Sequence, residues 1–168
     1  MRDGDILQRI AELGHELPPA PQPVASYVPV VRTGSLAFVA GQIAMQNGQL
    51  LHPGRLGKNV SVSTGQEAAA TAALQGLSAL REHLGGSLDR LRRIVQLSVF
   101  VAADAEFVEH PTVANGASDL LVEVLGEMGR HARATVGVTS LPLGACVEVT
   151  MIAEIADEAA APTGASGS

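Results

Sequence analysis

Apolar residues recur with two different periods along this chain, and the changes of period divide it into helices and strands. Over residues 6–13 they recur every three or four positions, which predicts a short helix that ends at Gly14. A Pro-rich connector follows. Residues 27–51 are then rich in strand-forming side chains and carry turn signals at Thr33-Gly34 and Asn47-Gly48, so a strand meander is predicted there.

A long helix is predicted in the middle of the chain. It begins at Ser63 with two overlapping capping boxes, which pair Ser63 with Gln66 and Thr64 with Glu67. The Gly85-Gly86 pair ends it.

The second half of the chain predicts a strand, a helix and a terminal hairpin. The strand covers residues 94–101, the helix residues 111–128, and the hairpin residues 133–139 and 146–155 with a turn at SLPLG. This order of elements predicts an α+β fold in which one mixed sheet carries two long helices on one face. Association of subunits would cover the other face.

Composition narrows the class of protein. Of the 168 residues, 46% are hydrophobic and 2% aromatic, so we expect one domain with a core of Leu, Val, Ile and Ala. The net charge of −6, with a single short basic cluster at 90–93, argues against nucleic-acid binding. The one cysteine, Cys146, allows no internal disulfide, and its place in a strand favours a packing role over a nucleophilic one.

Three further patterns argue against a metal site, a membrane-spanning segment and a signal peptide. The five histidines show no ligand spacing, so we expect no metal site, and for His131 surface placement is favoured over a role in positioning a ligand. The apolar stretches are too short to span a membrane. The N-terminus carries charges where a signal peptide would be apolar, so a soluble, cytoplasmic protein is expected.

Arg130 and Arg133 are the only Lys or Arg residues after Arg93. A hairpin that bends near residues 140–141 would place Arg133 directly across from Glu148, on the same face of the sheet. One interpretation is a structural ion pair, which would contribute little to stability. The other is that the guanidinium binds a ligand carboxylate through two charge-assisted hydrogen bonds, while Glu148 holds a water.

Several segments resemble the reactive intermediate deaminase family, also known as Rid, YjgF-type or endoribonuclease L-PSP-like proteins. They are FVAGQIA, GQEAAATAALQGL, SLDRLRRIVQLSVFV, VANGASDLL and HARATVGVTSLPLGACVEV, in the family's order. The chain then divides into an N-terminal helix and connector (1–22), a Rid-like domain (23–156) and a tail expected to be disordered (157–168). The N-terminal helix and LPLGACVEV look like a longer branch of the family.

The resemblance implies a chorismate-mutase-like fold and a homotrimer with sites in the clefts between subunits. It also implies cofactor-free hydrolysis of 2-imino or 2-enamino acids, released by pyridoxal-phosphate enzymes, to 2-oxo acids and ammonia. In this family match, Arg133 would bind the substrate carboxylate and Glu148 would position the attacking water. The other residues that the match assigns to the site are Tyr27, Gly41, Asn115 and Thr135.

The chain departs from the family's pattern after the arginine. The family's run commonly reads like Ser-Cys-Val-Glu-Val, whereas here Thr135 replaces the cysteine and Gly137 the glutamate. Thr135 can substitute if the cysteine contributes only its backbone carbonyl. If the cysteine side chain itself is needed, Thr135 cannot substitute, and the alternative is a non-catalytic trimeric protein that binds small molecules. Asn115-Gly116, which interrupts a predicted helix, indicates either close packing or a turn that faces a ligand.

Overall fold

The computed structural model describes residues 1–20 and 26–157, and helices and strands make up most of this length. The helices are α1 (Asp3–Glu12), α2 (Val62–His83) and α3 (His110–Leu125), and short 3-10 turns follow at Gly126–Gly129 and Pro142–Gly144. The strands are β1 (Val30–Thr33), β2 (Leu36–Ile43), β3 (Met45–Gln46), β4 (Gln49–Leu50), β5 (Leu91–Ala102), β6 (Ala132–Val138) and β7 (Val147–Ile155). From residue 158 onward the predicted disordered tail lies outside the described residues, as does part of the connector, residues 21–25.

Five strands form one mixed sheet in the order β1-β2-β7-β5-β6, and β3 and β4 form a separate two-stranded pair. The β3–β4 turn at Asn47-Gly48 has positive φ at both residues, as its sequence predicts. α2 packs across β2 and β7, and α3 lies beside it over β5 and β6. The predicted α+β fold, with two long helices on one face of a mixed sheet, is therefore confirmed. No helix of the described chain is long and apolar enough to cross a membrane.

The predicted terminal hairpin is wrong, because β5 lies between its two strands. β5 runs parallel to β6 and antiparallel to β7. Leu97 of β5 pairs with Arg133, whereas Phe100 pairs with Glu148. Since successive residues of a strand point to opposite faces, Arg133 and Glu148 project from opposite faces of the sheet. The segment at 139–146 spans the width of β5 and does not form a tight turn.

The start of α2 also differs from the prediction. The N-cap is Ser61, whose Oγ accepts a hydrogen bond from the backbone N–H of Thr64 at 3.1 Å. The capping boxes predicted at Ser63 and Thr64 are therefore wrong, because both residues already lie within the first turn. The predicted stop is correct, since Gly85 and Gly86 follow the helix with positive φ.

Small residues bring α2 and α3 close together. Nine of the thirteen buried residues of α2 are alanine, glycine or serine. At Gly116 of α3, an added Cβ would overlap the backbone carbonyl oxygen of Gln66. The glycine is thus required by close packing between the helices, which is one of the two roles that its sequence position predicts.

The N-terminal helix is held by apolar burial and by one ion pair. Ile6 and Ile10 are fully buried, and Arg81 at the end of α2 donates from Nε and Nη2 to the two Asp3 carboxylate oxygens, both at 2.9 Å. The backbone N–H of Leu88 donates to the same carboxylate at 2.9 Å. The hydrogen bond from Arg81 lowers the pKa of Asp3, although burial of the carboxylate opposes it.

The sheet face opposite the helices carries exposed apolar side chains, and we call it the open face. Val31, Phe38 and Val136 are 54%, 41% and 49% exposed. Val31 pairs with Phe38 on the neighbouring strand. Phe100 pairs with Val136 on one side and with Glu148 on the other, so these three residues share one face of the sheet. The open face is therefore apolar at both ends, and Glu148 and Glu154 of β7 lie on it.

Substitution of Gly116 by alanine should destabilise the protein by about 1–3 kcal/mol, because the backbone of Gln66 cannot move aside without separating the helices. Gly4→Ala is the matched control. Gly4 lies in α1 with no atom within 4 Å of an added Cβ, so this change should leave stability equal or slightly higher. Urea unfolding of both variants tests the prediction, and equal midpoints would contradict it.

Replacing Asp3 by asparagine should reduce the free energy of unfolding at pH 7 by about 1.5–3 kcal/mol, the range for hydrogen bonds to charged groups. The folded-state pKa of Asp3 is lowered, so its contribution is complete above the unfolded pKa of about 3.9 and is lost as pH falls through the folded value. Wild type and variant should therefore converge in acid. Asp119→Asn, at an exposed position of α3, is the control. A stability difference that does not change with pH would contradict this account.

Candidate functional site

Arg133 lies at the edge of the sheet, on the side that faces α3. Its Nη1 donates to Asn115 Oδ1 at 2.9 Å and to Ser118 Oγ at 3.0 Å. Both acceptors belong to α3, where a spacing of three residues places them on one side of the helix. Within residues 1–20 and 26–157, nothing bonds to Nε or Nη2 of Arg133. The guanidinium is thus held through one nitrogen, and its other edge is available for a ligand.

A second group of hydrogen bonds lies behind Ser118. The Ser118 hydroxyl is 3.0 Å from His131 Nε2, and His131 Nδ1 is 2.6 Å from the carbonyl oxygen of Gly129. Burial lowers the pKa of His131, the carbonyl of Gly129 opposes this, and the positive charge of Arg133 adds to the lowering. The imidazole is therefore neutral near pH 7. The surface position predicted for His131 is wrong, because the ring is half-buried under these contacts.

Glu148 lies on the open face, next to a bulge in β2. The pairing register between β2 and β7 shifts between Val39 and Gln42, and Gly41 lies within this irregularity. The Glu148 side chain rests directly on Gly41, since a Cβ there would overlap Oε1. Its burial raises the pKa of Glu148. No described residue donates a hydrogen bond to this carboxylate, so it is half-buried and unpaired.

Of the remaining predicted site residues, Thr135 lies beside Arg133, and Tyr27 lies at another edge of the sheet. Thr135 follows Arg133 on the same face of β6, and its Oγ1 is buried without a hydrogen-bond partner in the described part of the chain. Tyr27 is half exposed and precedes β1, at the edge of the sheet farthest from β6. One chain therefore brings Asn115 to Arg133 and Gly41 to Glu148, but it does not bring the two pairs together.

Other side chains near this region have simpler roles. Arg130 Nε donates to Glu127 Oε1 at 2.8 Å, and both side chains are exposed, so the second isolated arginine forms a surface ion pair. Cys146 is buried, and that burial raises its pKa to about 11, which fits the packing role predicted for it. Ser118 was not among the predicted site residues. Its spacing of three from Asn115 in VANGASDLL is the signal that could have identified it.

Comparison with known proteins identifies close relatives. A family model described as "YjgF/chorismate_mutase-like, putative endoribonuclease" matches residues 7–155. Protein TCP17 of Trypanosoma cruzi is 43% identical over 153 residues, which cover 90% of this chain and 95% of that protein. The structure of Atu1372 from Agrobacterium tumefaciens, a protein described as having unknown function, is 44% identical with a TM-score of 0.88, over 92% of this chain and 94% of that one. RidA of an Antarctic Psychrobacter is 27% identical with a TM-score of 0.55, over 81% and 94%.

Gly41→Ala should displace the Glu148 carboxylate without unfolding the protein, because the overlapping group is the far end of a flexible side chain. Displacement into water should lower the pKa of Glu148 towards the ordinary glutamate value of about 4.3. Carboxyl ¹³C NMR titration measures this in wild type and variant. Gly4→Ala, the same change at a position without neighbours, should leave the pKa of Glu148 unaltered. Equal pKa values in all three proteins would show that Gly41 does not control this carboxylate.

Proposed function

This chain belongs to the YjgF/chorismate-mutase-like family of Rid-type proteins, and from that membership we propose that it hydrolyses small 2-imino or 2-enamino acids. The products are a 2-oxo acid and ammonia, and the reaction needs no cofactor. The observation that carries the proposal is the guanidinium of Arg133, which α3 holds by Nη1 alone. The Nε–Nη2 edge then takes the substrate carboxylate in two parallel hydrogen bonds.

Glu148 is the proposed general base for the attacking water. A carboxylate with a raised pKa binds a proton more readily, and Glu148 has no hydrogen-bond donor among the described residues that would counter this effect. The water oxygen bonds to C2 of the imine while its proton passes to Glu148. That proton then passes to the nitrogen, which gives a carbinolamine, and the remaining hydroxyl proton follows by way of Glu148 as the C=O bond forms, the C–N bond breaks and ammonia leaves. An enamine reacts the same way after tautomerising to the imine.

The active site proposed here is formed between two subunits of a homotrimer. Arg133 and Glu148 project from opposite faces of one sheet, so a single chain cannot present both groups to one small substrate. An exposed apolar face that includes Val31, Phe38 and Val136 is the kind of surface that subunits bury. Arg133, Asn115 and Thr135 come from one subunit, and Gly41 and Glu148 come from its neighbour. Tyr27, which precedes β1, lines the cleft from the neighbour's side.

A non-catalytic binding protein is the second candidate, and the wall of the site beyond Thr135 favours it. An added Cβ at Gly137 would overlap His110 Nε2, so the imidazole occupies the place where the family commonly has a glutamate side chain. A site with this altered wall could retain the carboxylate-binding arginine and bind a 2-oxo acid without turning over its imine.

The test couples a pyridoxal-phosphate serine or threonine dehydratase to the purified protein and follows formation of the 2-oxo acid. Wild type should accelerate this step, and Arg133→Ala should lose about 100-fold or more in kcat/KM, because two charge-assisted hydrogen bonds are removed. Arg130→Ala, which removes an exposed arginine nearby, is the matched control and should be fully active. Binding of pyruvate by wild type without any acceleration would favour the binding protein.

Mixed trimers test the placement of the site between subunits. Arg133→Ala and Glu148→Gln chains, each inactive alone, are refolded together in equal amounts. If each site takes its arginine and glutamate from different chains, about a quarter of the sites contain both native residues and activity returns to that extent. No recovery from correctly assembled mixed trimers would contradict the shared site.

A further inference from the structure

The hydrogen bonds around Ser118 run in one direction. The carbonyl oxygen of Gly129 can only accept, so His131 Nδ1 carries the proton at that contact. In a neutral imidazole the other nitrogen is then an acceptor, and the Ser118 hydroxyl donates to His131 Nε2. The lone pairs of Ser118 are left for Arg133, whose Nη1 donates to them at 3.0 Å. The series runs from guanidinium to hydroxyl, to imidazole, to backbone carbonyl.

This series fixes the plane of the guanidinium. Nη1 has two hydrogens, and Asn115 Oδ1 and Ser118 Oγ accept them at 2.9 and 3.0 Å. Because the guanidinium is planar, holding both hydrogens of one nitrogen sets the direction of the Nε–Nη2 edge. Arg133 is otherwise exposed, and a free arginine side chain would lose considerable rotamer entropy on binding a ligand.

We infer that Ser118 and His131 are positioning residues that hold Arg133 ready to bind a planar anionic group. His131 orients the Ser118 hydroxyl, and Ser118 in turn orients the guanidinium. Neither residue contacts the ligand. The identity of the ligand as the carboxylate of an imino acid rests on the proposed function, but the positioning of Arg133 does not.

His131 could instead serve only to stabilise the turn at Gly126–Gly129, through its bond to the Gly129 carbonyl. Ser118→Ala separates the two roles, because it breaks the bonds to Arg133 and to His131 Nε2 but leaves the bond between His131 Nδ1 and Gly129 intact. His131→Ala removes both hydrogen bonds of the imidazole, the one to Ser118 and the one to the Gly129 carbonyl.

The decisive measurement is the rate of rotation about the Nε–Cζ bond of Arg133, by side-chain ¹⁵N NMR on the full-length protein without ligand. The signals are assigned by their loss in Arg133→Lys. Rotation should be about tenfold faster in Ser118→Ala, the factor that corresponds to one hydrogen bond to a charged group. Ser118→Thr, which keeps the hydroxyl, should restore the slow rate, and Ser63→Ala, at an exposed serine of α2 outside this series, should not alter it.

Rotation should also accelerate in His131→Ala, and the imidazole ¹⁵N shifts of wild type should show a protonated Nδ1 and a bare Nε2. An unchanged rate in Ser118→Ala would overturn the inference. A changed rate in Ser118→Ala with none in a folded His131→Ala would overturn the role of His131. The opposite tautomer would overturn the direction of the series.

Pyruvate titration connects this positioning to ligand binding. Ser118→Ala should weaken binding in the wild-type background and have no further effect in Arg133→Ala, because its action passes through the arginine. Equal weakening in both backgrounds would overturn the inference. If pyruvate binds in this pattern but imines are not hydrolysed, the proposed function fails and the positioning of Arg133 stands.

Discussion

Parallel pairing between β5 and β6 determines where the side chains of the candidate site lie. Two parallel strands cannot be joined by a tight turn, and here α3 forms the connection between them. The crossover brings α3 over β6, so that Asn115 and Ser118 reach Arg133. Because β6 occupies one edge of β5, β7 pairs with the other edge. Arg133 and Glu148 are therefore separated by one strand, and they lie on opposite faces of the sheet.

That separation has an electrostatic consequence. If Arg133 and Glu148 were neighbours across a hairpin, each would neutralise the other, the pKa of Glu148 would fall and the guanidinium would lose its free edge. In the observed fold, neutral groups from α3 bind one nitrogen of Arg133, while Glu148 remains half-buried with a raised pKa. Each group keeps the property that binding an anion or accepting a proton requires.

Close backbone approach holds these groups in place in a protein with few aromatic residues. At Gly116 the two long helices meet so closely that no Cβ fits, which sets the position of α3 over the sheet. At Gly41 the bulged strand leaves the space in which the Glu148 side chain rests. Both halves of the candidate site therefore depend on a glycine that lies against a neighbouring element.

Local signals in the sequence determined the helices, the β1–β2 and β3–β4 turns, the close-packed glycine of α3 and the family motifs, because these depend on residues near one another in the chain. Strand order and pairing did not follow from such signals. Residues 133–139 and 146–155 have the alternation of a hairpin, but alternation does not reveal which strand supplies the hydrogen-bonding partner. Only the tertiary structure placed β5 between them, since backbone pairing in a sheet is decided by distant segments and by the helix that connects them. For the same reason the sequence could identify Arg133 and Glu148 as candidates, but it could not show that they face opposite sides of the sheet.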